Sequence, residues 1–104
     1  MAEPPNVVMN TTTHRFEVQL GDEIAFAEYA LQRNAMVLPH TVVPPAFEGK
    51  GVGSALAKAA LGYALEHGLK VKPLCPFIAG YIKSHSEWGR LVHEDFRGPL
   101  GIEP

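Results

Sequence analysis

Gly49, Gly51 and Gly53 fall within the short run Glu48-Gly49-Lys50-Gly51-Val52-Gly53-Ser54. Upstream, the valine-rich stretch Met36–Val43 favours extended structure and is closed by Pro44-Pro45, which cannot donate ladder hydrogen bonds. Downstream, Val52, Ala55, Leu56, Ala59, Ala60 and Tyr63 recur at helical spacing. A strand must therefore turn into a helix through backbone that glycine adopts most freely. Amides at a helix start face outward at the positive end of the dipole, so such a turn suits a phosphate or pyrophosphate. A P-loop needs Ser or Thr after Gly-Lys, but Gly51 follows Lys50. A Rossmann fingerprint needs glycine where Ser54 stands, and 104 residues are too few for that fold. The plain alternative is that the glycines only cap and connect.

The flanking pattern completes an order of elements. His14–Leu20 alternates Phe16, Val18 and Leu20 with Arg15, Glu17 and Gln19, as a half-buried strand does. Gly21-Asp22 is turn chemistry, and Glu23–Leu31 reads as a second strand hairpin-linked to the first. Arg33-Asn34 is a further turn into the third strand, Met36–Val43, where Pro39 predicts a bulge or an unpaired amide. After the long helix, Gly68 suits a left-handed C-cap. Leu69, Val71 and Leu74 read as a short buried strand. Pro76 suits the first turn of a second helix with Phe77, Ile78, Tyr81 and Ile82 on its apolar face, ending near Ser84-His85-Ser86. Leu91-Val92 reads as a last apolar contact. Strand, strand, strand, helix, strand, helix predicts a mixed α/β (α+β) sheet, an antiparallel meander running into a parallel pair. The crossover of its βαβ unit is expected to be right-handed.

Composition narrows the class. A hydrophobic fraction of 46% supports one packed domain over residues 1–104, with loose ends about 1–8 and 97–104. A net charge of −2 argues against nucleic-acid or anionic-membrane partners. The stretch Val52–Leu65 is too short and too polar to span a bilayer, and the N-terminus carries no secretory signal. The lone Cys75 cannot form an internal disulfide, which suits a reducing compartment and a cytoplasmic location. Five histidines show no metal-ligand spacing, so no metal is expected.

Taken together, His40-Thr41-Val42-Val43-Pro44-Pro45, the glycine run, Leu69-Lys70-Val71-Lys72-Pro73-Leu74-Cys75-Pro76-Phe77, and Tyr81-Ile82 with His85 resemble the small single-domain branch of the Gcn5-related N-acetyltransferases. The resemblance covers about Phe16 to Val92 and implies two parallel strands that splay around acetyl-coenzyme A. It implies backbone pairing of Val42 and Val43 with the pantetheine arm, and a pyrophosphate grip by Gly49, Lys50, Gly51, Val52, Gly53 and Ser54. An amine acceptor, such as a protein or peptide lysine or N-terminus, then attacks the thioester directly or through the enzyme. Two positions depart from the pattern. Ala46 stands where relatives carry Arg or Gln, and Glu48 where small relatives often carry a basic residue.

Cys75 sits before a helix start, where a thiol can be reactive; it would lie near the thioester or serve as a small buried hydrophobe. Tyr81 is a candidate proton donor to the leaving thiolate or a core aromatic. His40 and His85 are candidate bases for the acceptor, or structural hydrogen-bonding groups. Glu28 is a further carboxylate on a central strand, expected to face solvent. The alternative function is a non-catalytic acyl-coenzyme A-binding or protein-interaction module on the same fold.

Overall fold

The computed structural model describes residues 6–101. Seven strands form two sheets: β1 (Val8–Asn10), β2 (Arg15–Leu20), β3 (Glu23–Glu28), β4 (Ala30–Gln32), β5 (Ala35–Val37), β6 (Thr41–Val42) and β7 (Lys70–Lys72). The helices are α1 (Val52–Glu66), α2 (Pro76–Ser84) and the short α3 (Glu94–Arg97), with 3-10 turns at Pro45–Phe47 and Ser86–Leu91. The four-stranded sheet has the order β1-β2-β3-β6 and is antiparallel throughout. The three-stranded sheet has the order β4-β5-β7, with β4 and β5 antiparallel and β5 and β7 parallel. This is the mixed sheet that the order of elements predicts.

Local chemistry explains the turns. Leu20 pairs with Glu23 across Gly21-Asp22, and Gly21 takes φ 60°. Gln32 pairs with Ala35 across Arg33-Asn34, where Asn34 takes φ 62°. Both are two-residue hairpins, whose tight return needs positive φ at a residue that tolerates it. Between β1 and β2, Asn10 Oδ1 accepts from the amides of Thr12 and Thr13, while its Nδ2 donates to Glu17.

Two expected strands are each divided, and at the same level. The second breaks at Tyr29 into β3 and β4, and the third breaks at Leu38–His40 into β5 and β6. Pro39 lies in that break, as its missing amide predicts. The break lets one strand serve two sheets: β5 pairs with β7, and β6 pairs with β3. Bonds on either side hold it, with the Glu28 amide donating to His40 O and the Cys75 amide to Leu38 O.

α1 packs on β2, β3 and β7. Its buried face is Val52, Leu56, Ala57, Ala60, Leu61 and Ala64. The sequence stripe shares Val52, Leu56 and Ala60 with it, while Ala55, Ala59 and Tyr63 are only half-buried. Alanines surround this helix, so periodicity fixes its face loosely. From α2, Ile78 and Ile82 enter the core, whereas Phe77 is 44% exposed. Leu74, expected inside, is 56% exposed, because the chain leaves β7 after Lys72 and Pro73 and Cys75, on either side of Leu74, are the residues that turn inward. Val92 closes the far side of β7 through a parallel bridge to Val71. At the ends, Val8 begins β1, and the Arg97 guanidinium donates to Gly89 O. The remaining expectations for loose ends, residues 1–5 and 102–104, lie outside the described residues.

Candidate active site

The divided strand builds the site. Beyond Leu38 the chain pairs on one side only, with β3, since β6 is the edge of its sheet among the described residues. The register Ala27 to Thr41 and Phe26 to Val42 continues the Glu28–His40 bond. Main-chain groups alternate in direction along a strand. His40 O points at β3, so the main-chain groups of Val42 also turn toward β3, and those of Thr41 face the open edge. The resemblance implies backbone pairing of Val42 and Val43 with the pantetheine arm; in the structure Val42 pairs with Phe26 of β3, and Val43 follows the end of β6.

Where β6 parts from the β5–β7 pair the chain forms a fork, and Cys75 stands at it with its amide bonded to Leu38 O. It is 5% exposed, caps the start of α2, and its Sγ donates to Thr41 Oγ1 at 3.3 Å. The structure thus brings Cys75 to the fork, with Thr41 as a partner the sequence did not single out. Tyr81 and His85 form a second unit. Their rings stack at 4.0 Å, and His85 Nδ1 donates to Tyr81 O at 2.9 Å, which leaves Nε2 as the acceptor of a neutral ring. Tyr81 stands six positions beyond Cys75, a rise of about 9 Å along a helix. His40 is exposed, and its carbonyl is engaged by Glu28, whose side chain is half-buried. Cys75 therefore meets Thr41, while Tyr81 and His40 make no hydrogen bond to it among the described residues.

The glycine turn sits beside the fork. Phe47 is 2% exposed and anchors it, with Phe47 O accepting from the Lys50 amide at 3.3 Å. Gly49 takes φ 77°, and Gly51, the N-cap of α1, takes φ 70° and ψ 19°. A Cβ at either would meet nothing within 4 Å, so the need for glycine is conformational and the space outside is open. No side chain caps α1, and its first turn carries no acidic residue. The amides of Val52, Gly53 and Ser54 precede the first intrahelical bond, Ala55 to Gly51 O. Lys50 is exposed, and its ammonium has no partner among the described residues. The helix dipole, free amides and a free cation all favour an anion here. Glu48 is exposed, as a carboxylate beside such a site requires. At Gly53, a Cβ would lie 2.7 Å from Phe77 Cζ, so the starts of α1 and α2 touch through that ring. Sequence reasoning missed this contact; the residues lie far apart in the chain.

A third feature lies elsewhere. Met9, Thr11, His14, Tyr29, Leu31 and Tyr63 line an open cavity of about 420 Å³. Burial raises the Tyr29 phenol above its ordinary value near 10, and the neighbouring Tyr63 phenol adds to the shift. The unfolded chain therefore releases this proton at lower pH than the folded chain. The contribution to stability is complete below about pH 10 and is lost as pH rises past it. Urea midpoints should fall as pH rises past about 10, and Tyr29→Phe should make that fall shallower. An identical pH slope in the variant would contradict the assignment.

Among the described residues no group of three His, Cys, Asp or Glu side chains is placed to hold a metal, and no helix is long and apolar enough to cross a membrane.

The GCN5-related N-acetyl-transferase family model matches residues 15–91, from β2 through the glycine turn and α2. Over 48 residues the chain is 44% identical to Protein NATD1 of Xenopus tropicalis, a stretch covering 46% of this chain and 44% of that protein. Protein NATD1 of Homo sapiens is also 44% identical over 48 residues, covering 46% of this chain and 42% of the relative. Protein NATD1 of Danio rerio is 38% identical, over 46% of this chain and 44% of the relative. The chain thus spans under half the length of the curated relatives it matches. By the extent of the family match, most of the chain and all of its fork, this protein belongs to the GCN5-related N-acetyltransferase family.

Proposed function

We propose that this protein transfers an acetyl group from acetyl-coenzyme A to a primary amine, such as a lysine side chain or a chain terminus of a protein or peptide. The observation that carries this reading is the uncapped glycine turn at the start of α1, placed beside the open edge of β6. The residues fit the cosubstrate. Amides of Val52, Gly53 and Ser54, with the Lys50 ammonium, suit a pyrophosphate. Gly49 and Gly51 supply the backbone shape that aims them. Thr41 on the open edge, and Val43 just past the end of β6, offer main-chain groups for an extended amide-bearing arm.

Bound acetyl-coenzyme A supplies an activated acetyl thioester. The acceptor amine in its neutral form attacks directly: its nitrogen bonds to the carbonyl carbon as the carbon–sulfur bond breaks. Cys75 lines the acetyl end, with its proton engaged by Thr41. Tyr81 is assigned the proton for the leaving sulfur, and the exposed His40 the proton from the amine. No metal takes part in this scheme. The lone thiol suits work in a reducing compartment, the cytoplasm.

The test is turnover of acetyl-coenzyme A with mixed amines and peptides, read as free thiol and acetylated product. Product formation supports the reading. Tight binding without turnover would leave a non-catalytic acyl-coenzyme A module. A finer check uses Val43→Pro, which removes one amide past the end of β6 and leaves the β3–β6 bonds in place. Affinity for acetyl-coenzyme A should fall by about five- to tenfold, the worth of one hydrogen bond, with little change in melting temperature. Unchanged affinity would remove Val43 from the site.

A further inference from the structure

Several features converge on the Tyr29 cavity. The Tyr29 ring is 4% exposed, but its hydroxyl is neither bonded to a described residue nor sealed from solvent. The Tyr63 hydroxyl likewise has no partner among the described residues. His14 holds φ 58°, in the left-handed region that residues other than glycine seldom occupy. It is pinned there by its carbonyl, which accepts from the Tyr29 amide at 3.0 Å, and its ring stands edge-on to Tyr29 at 5.7 Å. Leu31, on the rim, is 53% exposed without packing need. Strain, unpaired hydroxyls and an exposed apolar side chain are what a binding site retains and a core does not.

The lining also selects a ligand class. Among the described residues it contains no Asp, Glu, Lys or Arg, and its basic group is the His14 imidazole, so a phosphate or carboxylate finds no permanent opposite charge. The Tyr29 ring is buried and His67 stacks on one face of Tyr63 at 3.9 Å, so the lining offers a cation the two phenol oxygens, which accept from an N–H, and the part of the Tyr63 ring that borders the cavity. Met9 and Leu31 offer contact to a hydrocarbon stem. Register ties the cavity to the fork. Thr41 and Ala27 are directly opposed across β3 and β6, so their side chains share a face, and Tyr29 follows two positions on. Diagonal neighbours of this kind have Cα atoms roughly 7–8 Å apart. Tyr29 and Thr41, the partner of Cys75, therefore stand on one face of the sheet.

We propose that the cavity lined by His14, Tyr29, Leu31 and Tyr63 is a docking site for a primary ammonium on an apolar stem, and that it holds the acceptor beside the fork. The second half rests on the acetyl-transfer reading; the first does not.

The experiment titrates the full chain, without acetyl-coenzyme A, with n-butylammonium and with pentanoate, following ring resonances of His14, Tyr29 and Tyr63. Saturable shifts of these rings with n-butylammonium are expected, with pentanoate at least about tenfold weaker for want of cation–π attraction. Resonances of Gly49 and Gly51 should stay in place. Tyr63→Leu should weaken binding by about tenfold; Leu31→Ala, at an exposed rim position, gives a smaller loss in a variant that folds. In turnover assays both should raise the KM for the amine and leave acetyl-coenzyme A affinity unchanged. Absence of saturable ring shifts, or equal binding of pentanoate, overturns the proposal. Ammonium binding without acetyl transfer keeps the cavity and defeats the enzymatic reading, so the two failures are distinguishable.

Discussion

Gly51→Val is expected to lower affinity for acetyl-coenzyme A by at least about a hundredfold while the domain stays folded. Gly51 is the N-cap of α1 at φ 70° and ψ 19°. An L-residue in that region costs about 1–2 kcal/mol, and a β-branched one more. The strain can relax only by swinging the turn, which re-aims the amides of Val52, Gly53 and Ser54. A Cβ at this position would meet nothing within 4 Å beyond its chain neighbours, so it would enter the open space that the proposed ligand needs. Folding loses only the local strain, because Gly51 makes no core contact; the next residue, Val52, does. Gly51→Ala should fall between the two. A melting temperature lowered by several degrees together with parental affinity would make the turn a mere connector.

Phe47→Ala is expected to damage fold and binding together. Phe47 is among the largest fully buried side chains, and it ends the 3-10 turn that leads into the glycines. Truncating a buried phenylalanine costs about 3–5 kcal/mol. Domains of this size have only about 5–15 kcal/mol in hand. The same residue accepts the Lys50 amide, so losing its anchor frees the turn as well. Urea midpoints should drop sharply, and acetyl-coenzyme A should bind weakly even in the folded fraction. Phe47→Leu should retain most of both. A Phe47→Ala variant as stable as the parent would show that the turn is held by something else.

The legible parts of this molecule are those in which local chemistry and tertiary need agree. Gly21-Asp22, Arg33-Asn34, Pro39, Gly68 and Pro76 each mark a boundary the structure keeps, because their backbone preferences act within a few residues. The glycine turn was readable for the same reason. β1 was hidden in a Pro-rich start; it forms because Met9 pairs with Phe16 and Asn10 with Arg15, partners that composition does not reveal. Leu74 looked buried by its type, but the exit from β7 turns it outward. The contact of Phe77 with Gly53 and the bond of Cys75 to Thr41 join residues 24 and 34 positions apart, beyond any periodicity. The tyrosine cavity draws on the β1–β2 turn, β4 and α1, so no single stretch announces it.

The acetyl-transfer reading turns on whether acetyl-coenzyme A occupies the fork. Isothermal calorimetry of the purified chain at two salt concentrations asks this directly. One-to-one binding is expected, weaker at high salt because the charge component at the start of α1 is screened, and with Cys75 protected from alkylation when the ligand is saturating. No heat and no melting shift at millimolar ligand, with equal alkylation rates in its presence and absence, would contradict the account.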